Sequence, residues 1–268
     1  MENKNTDNEL FFFTKRIIRI GIWVYLGLGL FLFVFQSSYI YYPDKTDFNN
    51  CPAFQEAEQI SSGFSRGYLT KRSPEKLIIY YHGNAGRACD RKFMDSFFEE
   101  KNYSTYFVEY PGYAETGNEP SMAKLIRNVD DTMDFFKNHN FENITIVGES
   151  VGVGPAAYHA LNSKIDNLVL ISAYNNLASV AFSHYPIYPM SLLLVNNFTP
   201  DVWLDTYQGP VSVILAGNDE IIPNKLGRKL YEGLSSDLKK IYTIEGALHN
   251  SIYEKAEFYS VLNSALEI

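Results

Sequence analysis

Ile144-Thr145-Ile146-Val147-Gly148-Glu149-Ser150-Val151-Gly152 is a short apolar strand pattern that runs into G-x-S-x-G. A helical pattern follows, reaching about Leu161. Glycines on either side of the serine remove Cβ clashes, so the chain can turn sharply and leave the Ser150 hydroxyl exposed. The start of the helix then aims backbone N–H groups at negative charge developing nearby. The same residues would also serve as a helix-capping serine after a strand. The strand–turn–helix setting favours a nucleophile.

On both sides the alternation of strand and helix continues. Leu77–Tyr81, Ser104–Glu109, Leu168–Ile171, Val211–Leu215 and Lys239–Ile244 read as further strands. Helical patterns run over Arg87–Lys101, from the N-cap Ser121 to near Asn138, over Lys225–Leu234 and over Tyr253–Leu266. Near-continuous apolar strands alternating with helices predict a mostly parallel α/β sheet covered on both faces. A weaker strand within Gly67–Thr70 is expected to start it. The segment 173–208 breaks the rhythm: it holds His184, Tyr185, Tyr188, Met190, Phe198 and Trp203, punctuated by Pro186, Pro189 and Pro200. It is too apolar and too long for a solvated loop. A small cap over a site and an additional packed helix both account for it.

Ligands in parallel sheets sit at the carboxyl ends of the strands. After Leu77–Tyr81 comes His82-Gly83-Asn84-Ala85-Gly86, a small-residue loop that lets backbone N–H groups approach an oxyanion; Asn84 and Val151 are the expected donors. His82 is expected to brace that loop rather than move protons. After Val211–Leu215 comes Gly217-Asn218-Asp219-Glu220, where either acid can reach a histidine on the next loop; Asp219 is preferred. After Lys239–Ile244 comes His249, a loop histidine ahead of the last helix. His139 and His159 fall in or beside helices and His184 in the cap, so His249 is the candidate base.

The order Ser150, Asp219, His249, each after a strand, is that of α/β-hydrolases. Together with Tyr80–Gly86, Glu109-Tyr110-Pro111-Gly112-Tyr113 with Pro120-Ser121, Gly148–Ala156, Gly217–Pro223 and His249-Asn250, the chain resembles an α/β-hydrolase-fold serine hydrolase. More narrowly it resembles a membrane-anchored subgroup that includes protein depalmitoylases and related esterases and peptidases. Tyr41-Tyr42-Pro43 fits as well. Two departures bear on substrate: Glu109-Tyr110-Pro111-Gly112-Tyr113-Ala114 stands where the subgroup often has Asp-Tyr-Arg-Gly-Tyr-Gly, and Glu149 stands where relatives often carry a basic residue. The resemblance implies Ser150 as nucleophile, His249 as base, Asp219 as its orienting acid, and hydrolysis of an acyl ester or thioester through an acyl-enzyme. A lipid or an acylated protein would be the substrate. A serine peptidase of the same fold and a membrane-tethered, non-enzymatic binding protein are the alternatives.

From Ile20 to Phe35 every residue is apolar, aromatic or Gly. At about 1.5 Å per residue this run is roughly 24 Å long, and roughly 34 Å if carried to Tyr42. That suits a single membrane-spanning helix over 20–42. A signal peptide shares the basic start and apolar run, but Phe35-Gln36-Ser37-Ser38 is not a small-residue cleavage site. A buried core helix would be apolar on one stripe only. Lys4, Lys15, Arg16 and Arg19 precede the run and only Lys45 follows closely. The positive-inside rule then puts 1–19 in the cytoplasm and the α/β-hydrolase domain, 43–268, in the periplasm, a lumen or the exterior. Both cysteines, Cys51 and Cys89, fall in the translocated part, where a disulfide between them is expected.

With 23 basic and 31 acidic residues the chain carries a net charge of −8 and no basic stripe, which argues against nucleic-acid binding. Two cysteines and five dispersed histidines offer no zinc-site spacing. No cofactor and no metal is expected.

Overall fold

The computed structural model describes residues 3–115, 117 and 119–267; Met1 and Glu2 of the expected cytoplasmic segment lie outside the described residues. A long helix α1 (Asn3–Ile40) leads into a two-residue strand β1 (Tyr42–Pro43). Then come β2 (Glu58–Ser62), β3 (Ser65–Thr70), β4 (Lys76–Tyr81), the short β5 (Ala85–Gly86), α2 (Lys92–Glu100), β6 (Ser104–Glu109), α3 (Met122–Phe136), β7 (Asn143–Glu149), α4 (Val153–Asn162) and β8 (Asn167–Ile171). Three short helices follow: α5 (Leu177–His184), α6 (Met190–Leu193) and α7 (Pro200–Trp203). The chain ends with β9 (Val211–Ala216), α8 (Asn224–Gly233), β10 (Lys239–Ile244) and α9 (Ala256–Leu266).

Eight strands form one sheet in the order β10-β9-β8-β7-β4-β6-β3-β2. From β10 to β6 every pairing is parallel; β3 runs antiparallel to β6, and β2 antiparallel to β3. The central parallel strands β4, β8 and β9 are buried almost end to end and largely apolar because both faces are covered, whereas the edge strand β10 stays half-exposed. Leu77, Ile79 and Tyr81 of β4 join one core with Leu125 and Val129 of α3, Ala156 and Ala157 of α4, and Leu226 of α8. Ile78 and Tyr80, pointing the other way, join a second core with Met94 and Phe98 of α2 and Phe258 and Leu262 of α9. Strand periodicity of two thus distributes each strand between two helical layers. The N-cap at Ser121 is present: its hydroxyl accepts from the Lys124 N–H at 3.4 Å, and Leu125, Val129 and Phe136 then bury one face of α3.

Three differences from the sequence reading stand out. The helix predicted over 20–42 runs instead over Asn3–Ile40. Tyr41 and Tyr42, expected as interfacial residues at the end of that helix, leave it: Tyr41 is buried in the core, and Tyr42 pairs with Ala85 in β1–β5. The expected start of the sheet at Gly67–Thr70 is part of a hairpin, β2–β3. Strand β2 gives little sequence signal because it is an edge strand in which only Ile60 is buried.

Cys51 and Cys89 are joined in a disulfide, closing a loop with a sequence separation of 38. It fastens the segment before β2 to the turn that follows β5. In the chain-entropy account a loop of this length stabilises by roughly 4 kcal/mol. Reducing the bond, or replacing both cysteines by serine, is expected to lower the thermal midpoint clearly. An unchanged midpoint in oxidised and reduced protein would show that the bond contributes nothing.

Candidate active site

The turn between β7 and α4 sets Ser150 in a left-handed backbone conformation, φ +52°. A non-glycine residue is uncommon there. Gly152 is what permits the turn to sit this close to β4: a Cβ on it would collide with the Tyr81 carbonyl oxygen. The result projects Ser150 from the carboxyl edge of the sheet.

The loops after β9 and β10 reach the same point. Gly217 and Asn218 donate backbone N–H bonds to Ile244 and Ala247 carbonyls, both at 2.8 Å, which ties the two loops together. His249 Nδ1 lies 2.8 Å from Asp219 Oδ2 and 3.0 Å from Oδ1, and its Nε2 lies 3.0 Å from Ser150 Oγ. An acceptor-only carboxylate assigns the proton to Nδ1 and leaves Nε2 to accept from the serine hydroxyl. Asp219 is itself fixed by the N–H groups of Ile221 (3.0 Å) and Ile222 (2.7 Å) on Oδ1. Glu220 faces elsewhere: its Oε2 accepts the backbone N–H of His249 at 3.0 Å. The two adjacent acids therefore hold the same histidine at different atoms, and only Asp219 touches the ring.

Asn84 and Val151, the expected oxyanion donors, both line a cavity of about 330 Å³ beside Ser150. The loop that carries Asn84 is braced from two sides. Its carbonyl accepts from the Tyr42 N–H (3.0 Å) and from Tyr113 Oη (2.7 Å). Tyr110 Oη donates to the His82 carbonyl at 2.8 Å. The Tyr-Pro-Gly-Tyr segment after β6 is thus a support for this loop and does not line the cavity.

His82 is fully buried, with Nδ1 2.7 Å from the Gly83 carbonyl and its ring stacked on Tyr110 at 4.2 Å between centroids. His184 in the cap bonds the Ile221 carbonyl through Nε2 at 2.8 Å. His139 packs at the end of α3 against Phe135 and Phe141. His159 is enclosed in α4 with Nδ1 2.7 Å from Tyr81 Oη. Glu149 does not line the cavity. Arg91 meets it through Nε at 2.9 Å, Tyr80 Oη donates to it at 2.8 Å, and Arg91 also donates to the Ala85 carbonyl at 3.2 Å. An acidic residue before the nucleophile thus ties the serine turn to the Asn84 loop through one arginine.

Sequence reasoning missed part of the cavity wall. Leu32, Gln36, Tyr39 and Ile40 of α1 line it together with Leu177, Val180, Met190 and Leu194 of the 173–208 segment. Gln36, a lone amide at the end of an apolar run, was the one sequence signal for that role.

The buried ionisable groups set an acid limit. Burial pushes His159 down to about 3, so it is neutral in the fold. Burial alone raises Glu149, but Arg91 and the Tyr80 hydroxyl outweigh it and hold the carboxyl below its ordinary value. Burial raises Asp95 too, and hydrogen bonds from Arg72, Lys92 and Thr105 bring it below normal. In each case the unfolded chain binds the proton at higher pH than the folded one. Stability therefore falls with pH through the His159 window, beginning near about pH 6.5, and again through the carboxylate window below about pH 4. One such group contributes a slope of up to about 1.4 kcal/mol per pH unit. His159→Gln is expected to flatten the thermal-midpoint profile between about pH 6.5 and about pH 4, where His159 alone of these groups gains a proton. A wild-type profile already flat there would contradict a neutral, buried His159.

No family model matches the chain. An uncharacterised protein from Mycobacterium tuberculosis is 26% identical over 176 residues, covering 65% of this chain and 62% of that relative's length. The Xenopus tropicalis lysophosphatidylserine lipase ABHD12 is 24% identical over 221 residues, covering 71% of this chain and 57% of its own. Among solved structures, an esterase from Pyrococcus furiosus superposes with a TM-score of 0.67 at 14% identity, covering 85% of this chain and 97% of the esterase. At that identity the likeness is one of fold, and the fold is that of the α/β-hydrolases.

Proposed function

We propose that the chain is a membrane-anchored serine hydrolase that cleaves acyl esters or thioesters. The observation that carries this reading is His249, bridging Ser150 Oγ and the Asp219 carboxylate at the edge of an apolar cavity. Ser150 Oγ attacks the acyl carbonyl carbon while His249 Nε2 takes the hydroxyl proton. The N–H groups of Asn84 and Val151 receive the oxyanion. His249 then passes the proton to the leaving oxygen or sulfur, whose bond to the acyl carbon breaks. Water, deprotonated by His249, attacks the acyl-enzyme and releases the acid and free Ser150. Asp219 keeps the imidazole in the working tautomer and stabilises the imidazolium.

Phe11–Ile40 forms a stretch of helix that is long and apolar enough to cross a bilayer. In this reading it is a retained anchor. Lys15, Arg16 and Arg19 lie at its amino-terminal side, so the N-terminus is cytoplasmic and the hydrolase domain lies across the membrane, where the Cys51–Cys89 bond is stable. The similarity to a lysophosphatidylserine lipase and an esterase supports ester substrates, and the apolar cavity supports an acyl chain over a peptide.

The test is labelling of the full chain, in detergent, with a fluorophosphonate probe. Modification that maps to Ser150 and disappears in His249→Ala is the expected result. Folded wild-type protein that takes no label would overturn the proposal.

A further inference from the structure

The helix that holds the chain in the membrane also touches the cavity next to Ser150. Tyr25, Gly29, Leu32, Gln36 and Tyr39 recur at three- and four-residue spacing and so form one stripe of α1. That stripe lies on the 173–208 cap. Tyr25 stacks on Tyr188 with centroids 4.6 Å apart, donates to the Ile187 carbonyl at 2.9 Å, and receives the Tyr188 hydroxyl on its own carbonyl at 3.1 Å. Gly29 is buried against the Tyr188 ring, where a Cβ would stand 3.1 Å from it. Gln36 closes the other end: its Oε1 accepts the N–H groups of Val195 (2.7 Å) and Asn196 (3.2 Å), and its Nε2 donates to the Leu193 carbonyl at 3.3 Å. An amide on an apolar helix that satisfies three cap backbone groups is built for this contact. From Leu32 onward the same helix is cavity wall, through Leu32, Gln36, Tyr39 and Ile40.

We propose, building on the serine-hydrolase reading, that α1 is the outer wall of the acyl-binding site, with Leu32 setting which acyl chains are accepted. The helix is thus a specificity element as well as a tether, and a leader cleaved after it would take one side of the site away. The cavity, about 330 Å³, is at the small end of ligand pockets, which run from about 300 to 1,000 Å³. That suits one extended acyl chain lying between α1 and α5. The opposite face of α1 is exposed, with Val34 at 59%, so a bulky residue there meets no part of the site.

The experiment compares full-length wild type, Leu32→Trp, Leu32→Ala and Val34→Trp in the same detergent. Each is assayed on p-nitrophenyl esters from acetyl to palmitoyl, with fluorophosphonate labelling in parallel. Leu32→Trp should lower the ratio of dodecanoyl to acetyl kcat/KM by about tenfold, since a pocket loses at least that much when it can no longer hold a few methylenes. Leu32→Ala should move the preferred chain length the other way, which keeps the test sound if the tryptophan variant does not fold. Val34→Trp should leave the profile as in wild type. If the Leu32 variants shift the profile no more than Val34→Trp while all label at Ser150, α1 is a tether only. If wild type neither labels nor turns over, the hydrolase reading itself fails.

Discussion

Ser150→Ala in the full chain is expected to lower kcat for a turned-over ester by about 10⁴–10⁶, with KM little changed. The alanine keeps the fold and the cavity but removes the oxygen that lies 3.0 Å from His249 Nε2. His249→Ala should cost about the same, because an un-ionised serine hydroxyl is a weak nucleophile without its base. In the proposed mechanism the two residues act on one proton, so the double variant should be no worse than either single one. Residual turnover, about 10³–10⁴ above water, would come from binding and from the oxyanion donors alone. Additive losses in the double variant would mean that serine and histidine do not work as a unit, and a mild loss in Ser150→Ala would place the chemistry elsewhere.

Asp219→Asn should lower kcat by about 10⁴. An amide at this position presents an N–H toward Nδ1 and favours the tautomer with the proton on Nε2, which can no longer accept from Ser150. The neighbouring Glu220→Gln is the informative comparison. Its oxygen holds the backbone N–H of His249 and not the ring, and glutamine keeps an oxygen that can do the same. A loss of less than about tenfold is expected there, the worth of a weakened positioning hydrogen bond. Equal losses in the two variants would show that what matters is the charge of the loop and not the bond to the ring.

Most of the frame could be read from residues because the strands are rich in apolar and aromatic residues and are followed by recognisable turns. The strands Ser104–Glu109 and Lys239–Ile244 were expected at their observed bounds. The choice of Asp219 over Glu220 was a preference that local sequence cannot settle, since both acids sit in the same turn. It depends on which carboxylate the backbone of Ile221 and Ile222 turns toward the ring. The short pairing of Tyr42–Pro43 with Ala85–Gly86 has no periodicity to reveal it. Two residues make a strand only in the presence of a distant partner. The role of α1 was hidden for a related reason. A helix apolar on every face gives no stripe to say which side meets protein, so the contacts of Tyr25, Gly29 and Gln36 exist only at the tertiary level.

The left-handed conformation of Ser150 has an evolutionary corollary. A side chain held there costs about 1–3 kcal/mol of folding free energy, which selection for hydrolysis would maintain. In a lineage released from that selection, position 150 would drift toward Gly, Asn or Asp, which hold this backbone with least strain. Such a replacement would leave the fold as stable or more so, and would mark a descendant that has outlived its chemistry.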